Sequence, residues 1–473
     1  MGGGLLQLIA VGQIDQYLSI NPELSFYQYV YKRHTNFAME SRQLTFQKNP
    51  TLSHNTISNI VECTIPRHGD LLKEIYFCFT LPDIYSSDKY QFRWVKNIGN
   101  NIIKKASIYI DGMLIDQITG EWLNIWNEMT NEVGQEKYSK MIGNVPELYE
   151  PKSSKDRVSI KNNRFYYFYY PESSKSSNIP SIKQRQIIVP LKFWFTKVPS
   201  MALPLLRLQY NVVSIKLELE SSENLYQVFS PDLEMFISPI YFNELYGEKI
   251  NINTFTKEYL FNPYIEANYV YLGEEERNSL FMKSKISYLV EQLNINTAKS
   301  FSSKSAVNNN IDVIVNTPTK EIIWTTRRDD YYKYNEFMNF SADIPETNNG
   351  ILDKAYITFY NNNRIEEKPA EYFNIMQPYQ YHSRVPKQGI YSYSFALYPE
   401  KEFLSGYYNA ALVKTNLYVS FKDIYNNDFI NTKLSKVNKQ QYEYNYQVNI
   451  YCVCYNIFEI IGNQVGMKFT LSA

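Results

Sequence analysis

Hydrophobic and polar positions alternate with a period of two along much of the chain. Within 73–80, Ile75, Phe77 and Phe79 share one face, and Glu74, Tyr76, Cys78 and Thr80 share the other. Within 212–220, Val213, Ile215, Leu217 and Leu219 oppose Ser214, Lys216, Glu218 and Glu220. The pattern returns at 57–65, 106–110, 355–360, 417–421 and 448–458. Successive side chains of a strand point to opposite sides, so each run predicts a strand with one face on a core and the other toward water or a partner. Asp111-Gly112 stands between Ile108-Tyr109-Ile110 and Met113-Leu114-Ile115, and such a dipeptide suits the positive φ angles of a two-residue hairpin. The fold class read from this is all-β with only short helices.

The chain also repeats itself. Lys73-Glu74-Ile75 returns 247 positions later as Lys320-Glu321-Ile322. Lys105-Ala106, followed by Ile108, returns 249 positions later as Lys354-Ala355, followed by Ile357. Glu121-Trp122-Leu123-Asn124-Ile125 returns 250 positions later as Glu371-Tyr372-Phe373-Asn374-Ile375. Matches in one order at a nearly constant offset of half the chain predict two copies of one domain rather than a solenoid of short repeats.

Each copy carries a short helix. Thr119 is placed to cap the first, Glu121 suits the positive end of its dipole, and Trp122, Ile125, Trp126 and Met129 fall at helical spacing. In the second copy, Tyr372, Ile375 and Met376 repeat the spacing and Pro378 is expected to stop the helix. Strands, a hairpin, a short helix and long loops over about 200 residues per copy suit an eight-stranded jelly roll. The expected boundaries are an N-terminal arm at 1–24, a first domain at 25–221 with a surface insertion at 130–185, a connector at 222–235 and a second domain at 236–473.

Composition narrows the function. The 473 residues carry 48 Lys+Arg against 48 Asp+Glu, so the net charge is zero and the chain lacks the basic field of a nucleic-acid wrapper. No apolar run is long enough for a spanning helix. Aromatic residues make up 16%, including 43 Tyr, ample for large sandwich cores. The start, Met1-Gly2-Gly3-Gly4-Leu5-Leu6-Gln7, has no positive region ahead of its apolar stretch and Leu6 where a myristoylation signal wants Ser or Thr. It reads as an arm that orders when it docks. Cys452 and Cys454 lie two apart in a strand run and face the same way, badly placed to bond each other.

No catalytic, cofactor or metal site is expected. The G-x-S-x-G, H-E-x-x-H, Walker and C-x-x-C patterns are all missing. His34, His54, His68 and His382 are scattered, and each is read as structural. Asp329-Asp330 and Glu274-Glu275-Glu276 are read as solvated carboxylates, the second in the first turn of a helix after Gly273. Lys152, Lys155, Arg157, Lys161 and Arg164, followed by the aromatic run Phe165 to Tyr170, look like a single-strand nucleic-acid or sugar platform. Alternate residues of a strand cannot all stack on one ligand, so this stretch is read as packing against the sandwich or a neighbour. Asn339-Phe340-Ser341 is a glycosylation sequon without a secretory signal to use it.

Longer blocks carry a family likeness. Gly2-Gly3-Gly4-Leu5-Leu6-Gln7-Leu8, Tyr31-Lys32-Arg33-His34-Thr35-Asn36-Phe37, Glu121-Trp122-Leu123-Asn124-Ile125-Trp126 and Pro190-Leu191-Lys192-Phe193-Trp194-Phe195 resemble major capsid proteins of nucleocytoplasmic large DNA viruses. So do Tyr288-Leu289-Val290-Glu291-Gln292, Gln377-Pro378-Tyr379-Gln380 and Gly389-Ile390-Tyr391-Ser392-Tyr393 in the second half. The resemblance implies a double jelly roll, two tandem eight-stranded sandwiches. It implies no enzyme, but a structural subunit that forms homotrimers, pseudo-hexagonal capsomers of six barrels that tile the icosahedral shell of a double-stranded DNA virus. The implied partners are the chain itself, neighbouring capsomers, minor capsid and penton proteins, and an internal membrane reached by the arm, without direct nucleic-acid binding. The implied location is the virion, with assembly in the host cytoplasm. A minor capsid or scaffold paralogue of the same fold, or a jelly-roll carbohydrate-binding protein, are the alternatives.

Overall fold

A computed structural model describes the chain apart from residues 1, 14–18, 20, 24, 30, 49–58, 87–89, 131–133, 151–156, 162–163, 169–179, 258–260, 303–307, 423–443 and 470–473. Eight strands build the first sandwich: β1 (Phe37–Leu44), β2 (Asn59–Thr64), β3 (Leu71–Leu81), β4 (Ile103–Ile110), β5 (Met113–Ile118), β6 (Arg185–Pro190), β7 (Val213–Leu219) and β8 (Tyr264–Leu272). Its two antiparallel sheets run β1-β8-β3-β6 and β2-β7-β4-β5. Eight more build the second: β9 (Lys285–Ser302), β10 (Asn309–Val313), β11 (Pro318–Arg328), β12 (Leu352–Phe359), β13 (Asn362–Pro369), β14 (Ile390–Ser394), β15 (Thr415–Phe421) and β16 (Asn445–Ile461). Their sheets run β9-β16-β11-β14 and β10-β15-β12-β13, the first order shifted by eight. Two jelly rolls in tandem follow directly, and the sequence repeats fall on equivalent elements: β3 and β11, β4 and β12, and the helical segments after β5 and β13.

The alternation sets the faces. Ile75, Phe77 and Phe79 on β3 and Ile215, Leu217 and Leu219 on β7 fill the first core. Ile322 and Trp324 on β11, Leu417 and Val419 on β15, and Val448, Ile450, Cys452 and Cys454 on β16 fill the second. Asp111 (φ 49°) and Gly112 (φ 80°) turn the β4–β5 hairpin in the left-handed region. Tyr360 (φ 48°) and Asn361 (φ 68°) turn the equivalent β12–β13 hairpin, so the geometry is kept without the favoured residues.

Two expectations change. The strand β8, placed by the expected boundaries with the second half, hydrogen-bonds to β1 on one side and β3 on the other. Pairing across about 200 residues is a property of topology and is invisible to local alternation. Pro378 does not end its helix: a π-helical turn, Tyr372–Met376, leads into an α-helical one, Gln377–Tyr381. At the first turn of the α-helical part, Pro removes no N–H that the helix needs. Within the insertion, Arg157–Lys161 and Arg164–Phe168 pair as a hairpin, while Lys152, Lys155 and Tyr170 lie outside the described residues.

Candidate functional site

The most extensively built contact surface is the seam between the two sandwiches. Helix α1 (Gly120–Met129) follows β5, and Thr119 caps it as read from sequence, its hydroxyl accepting from Trp122 N at 3.2 Å. One face of α1 is apolar, and it lies on the outer face of the β9-β16-β11-β14 sheet. Ile125 and Met129 are fully buried there with Ile323, Ile390 and Tyr451, and Trp122, Trp126, Leu293 and Ile295 pack around them. The Trp122 and Tyr451 rings stand 5.6 Å apart. Beside α1, the turn after β6 buries Trp194 against Phe458 of β16 (5.1 Å) and Tyr288 of β9 (5.9 Å). An apolar helix face and an aromatic turn thus hide apolar positions that an isolated second sandwich would leave in water.

Buried charges lock the same seam. Glu291 on β9 binds Lys320 of β11 and, at 2.6 Å, Lys197 from the first half. Burial alone would raise the Glu291 carboxyl, but the two ammonium groups outweigh it and hold it below the ordinary carboxylate range. His382 lies between Glu321 (3.0 Å) and Glu400 (3.3 Å), its ring edge-on to Trp126 at 6.1 Å. Desolvation opposes the charged imidazole, yet the two carboxylates win and lift it to about 9. Glu121 of α1 reaches Arg327 (3.2 Å) and accepts from Asn449 (3.0 Å), both across the seam. Arg384 donates to the α1 carbonyl of Asn127 at 3.2 Å. Asp116 accepts from the backbone N–H groups of Trp194 and Gln117 in a site dry enough to push its carboxyl up to about 7.

The residues weighed for chemistry are not brought together. His34 and His68 are exposed and belong to the first sandwich side, His382 is in the seam, and His54 lies outside the described residues. The four cysteines are buried and unbonded, and burial pushes the thiols of Cys63, Cys78 and Cys454 up to about 11. Glu274, Glu275 and Glu276 occupy the first turn of helix α2 (Glu274–Met282), the first two exposed as expected and Glu276 half-buried. Asp330 is not solvated: it pairs in two-pronged fashion with buried Arg328, at 2.9 and 2.8 Å, which a strand end beside Tyr444 brings inward. Asn339 is buried, and its amide donates to Glu336 and to the Asp343 carbonyl, so the sequon's nitrogen is occupied. Among the described residues no group of three or more His, Cys, Asp or Glu is placed to hold a metal, and no helix is long and apolar enough to cross a membrane.

A cavity of about 400 Å³ beside the seam is lined by Glu74, Tyr76, Trp122, Trp126, Lys197 and Glu400. Its lining brings carboxylates and an ammonium group beside two tryptophans. The seam itself gave little local signal. Lys320 and Glu321 were visible only as a repeat of Lys73 and Glu74, and nothing nearby in sequence named Glu291, Lys197 or Asp116 as their company.

Two surfaces of the same kind stay open. The helical segment 372–381 presents Ile375, Met376 and Tyr379 at 44%, 48% and 79% exposure. The outer face of the β1-β8-β3-β6 sheet carries Phe37 and Met39, both exposed, next to half-exposed Glu266, Asn268, Glu74 and Tyr76.

Known proteins share both sequence and fold with this chain. The family profile described as major capsid protein N-terminus matches residues 25–273, and that described as large eukaryotic DNA virus major capsid protein matches 276–466. The major capsid protein of Phaeocystis pouchetii virus is 28% identical over 99% of this chain and 100% of its own length. That of Pyramimonas orientalis virus is also 28% identical, with the same coverage. A quasi-atomic model of the PBCV-1 virus capsid superposes with a TM-score of 0.68 at 22% identity, covering 94% of this chain and all of the other.

Proposed function

This chain belongs to the major capsid proteins of large eukaryotic DNA viruses, and on that premise we propose that it builds the outer shell as a homotrimer of pseudo-hexagonal outline. It is a structural subunit of an icosahedral virion. The observation that supports the trimeric capsomer is the seam: two jelly rolls of identical strand order, fixed side by side by an apolar helix face and two ion pairs that cross it, Lys197–Glu291 and Arg327–Glu121. Three rigid pairs of this kind make a six-barrelled ring suited to tiling. The division between the barrels is placed at 273–275, just after β8, with residues 1–36 as the arm. The chain works by burial and shape rather than by catalysis. Neighbouring capsomers, minor capsid and penton proteins are the proposed partners, with the arm turned toward them or toward an internal membrane, and assembly in the host cytoplasm.

Sedimentation of the purified protein tests this: about three chain masses is the expected result, and one chain mass would overturn the capsomer. Stained gels of purified virions separate a major from a minor shell protein, since the major one dominates the protein content.

A further inference from the structure

The two halves are built alike but covered differently. In the first half, α1 and the Phe193-Trp194-Phe195 turn are spent on the outer face of the second half's β9-β16-β11-β14 sheet. Their counterparts in the second half, the segment 372–381 and the turn after β14, cover nothing comparable. Ile125 and Met129 are fully buried, whereas Ile375 and Tyr379, 250 positions on, are exposed. In the turn after β14, Leu397, Tyr398, Phe403 and Leu404 are all more than half exposed. The covered sheet has an uncovered counterpart too. Ile323 faces Tyr451 across β11 and β16, and the equivalent Tyr76 faces Glu266 across β3 and β8. The repeated Lys-Glu pair reports the difference directly. Lys320 and Glu321 are fully buried and pair with Glu291 and His382, while Lys73 and Glu74 pair with each other at 3.1 Å, partly exposed, and Glu74 accepts from Tyr76 and Asn268 on the same open face.

We propose that the outer face of the β1-β8-β3-β6 sheet is the docking surface for the 372–381 segment and the 397–404 turn of a second copy of this chain. The contact repeats between chains the one that α1 and the Phe193–Phe195 turn make within a chain. It rests on the capsomer reading and specifies which surfaces meet. The occupant is a second copy because the second half's exposed echo of α1 is the equivalent of the element that covers the equivalent sheet, and one chain holds one donor and one acceptor, a head-to-tail arrangement that can close into a ring. The chemistry is not a replica. Ile375 meets a position where Glu266 replaces Tyr451, so the centre is polar and hydrated, with Phe37 and Met39 on β1 offering the apolar part to the aromatic turn. Such an interface assembles reversibly from folded chains, whereas the apolar seam forms with the fold.

Two single variants of the full chain, Ile375→Cys and Glu266→Cys, test the surfaces. The native thiols are buried, so mild oxidation leaves them silent. Mixing the two variants should give a disulfide-linked dimer on a non-reducing gel, and neither alone should. A multichain sedimentation mass without that cross-link overturns the proposed surfaces while leaving the capsomer reading intact. A one-chain mass for the native protein overturns both. As a second arm, Tyr379→Asp, at a side chain that touches little within the chain, should reduce the mass to one chain with an unchanged unfolding temperature; a retained oligomer counts against the surface.

Discussion

Residues of one identity carry different roles according to what covers them. Lys73-Glu74 and Lys320-Glu321 are the same letters on equivalent strands, yet only the second pair is dry and tied to Glu291 and His382. Sequence could mark the pair as a repeat but not its burial, because the covering residues come from elements about 30 to 200 positions away. Removing one partner from a buried ionic contact leaves the other charge unpaired, so Glu291→Gln should cost about 3–5 kcal/mol in chemical denaturation. Lys73→Gln, at the exposed counterpart, should cost under about 1 kcal/mol by the same measurement. His382 adds a pH dependence of known sign. Its pKa is raised in the folded chain from 6.5 to about 9, so its stabilisation is complete below about 6.5 and is lost as pH rises through about 9. Across that window the melting temperature should fall, and His382→Gln should flatten the fall. A variant that keeps the full slope would remove His382 from the explanation.

Elements were legible where the physics is local and opaque where it is not. Alternation marked β3, β4, β7, β12, β15 and β16 because a sandwich strand must put every second side chain in the core. Asp111-Gly112 announced its hairpin by favouring positive φ. Tyr360-Asn361 makes the same turn with a bulky residue at φ 48°, held by the pairing of β12 and β13 and by the Tyr360 hydroxyl on the Leu412 carbonyl. The helical segment 372–381 hid its π-turn, since a wider turn shows no separate periodicity in five residues. Helix α1 read correctly in cap and face, but its target did not, because an apolar stripe says that something is buried and not what buries it. Shaving the stripe should therefore act on the seam. Ile125→Ala removes a fully buried side chain and is expected to cost about 2–5 kcal/mol, whereas Ile375→Ala, its exposed equivalent, should leave the melting temperature of the isolated chain within about 1 °C.

The whole molecule separates into a body that folds around two buried cores and an arm whose described residues are exposed. Every described residue from Gly2 to Ser41 is exposed. A short helix, Gly3–Ile9, holds Leu5, Leu6, Leu8 and Ile9 in water with no charge before Asp15. Exposed apolar side chains of this size stabilise a contact by about 1.5–3 kcal/mol each once fully buried. The helix Gly3–Ile9 carries no charged side chain, so it meets neither repulsion nor attraction from an approaching charged surface. The proposed occupant is therefore an apolar groove on a neighbouring shell component or the boundary of a lipid layer. Because the described residues of 2–20 are all exposed, deleting this segment should leave the melting temperature and the capsomer mass unchanged. The loss should appear one level higher, as fewer closed particles and earlier release of capsomers on heating, counted by electron microscopy. Complete shells of native heat resistance from the shortened chain would show that the arm is not a clasp, and a lowered melting temperature would show that it is part of the barrel.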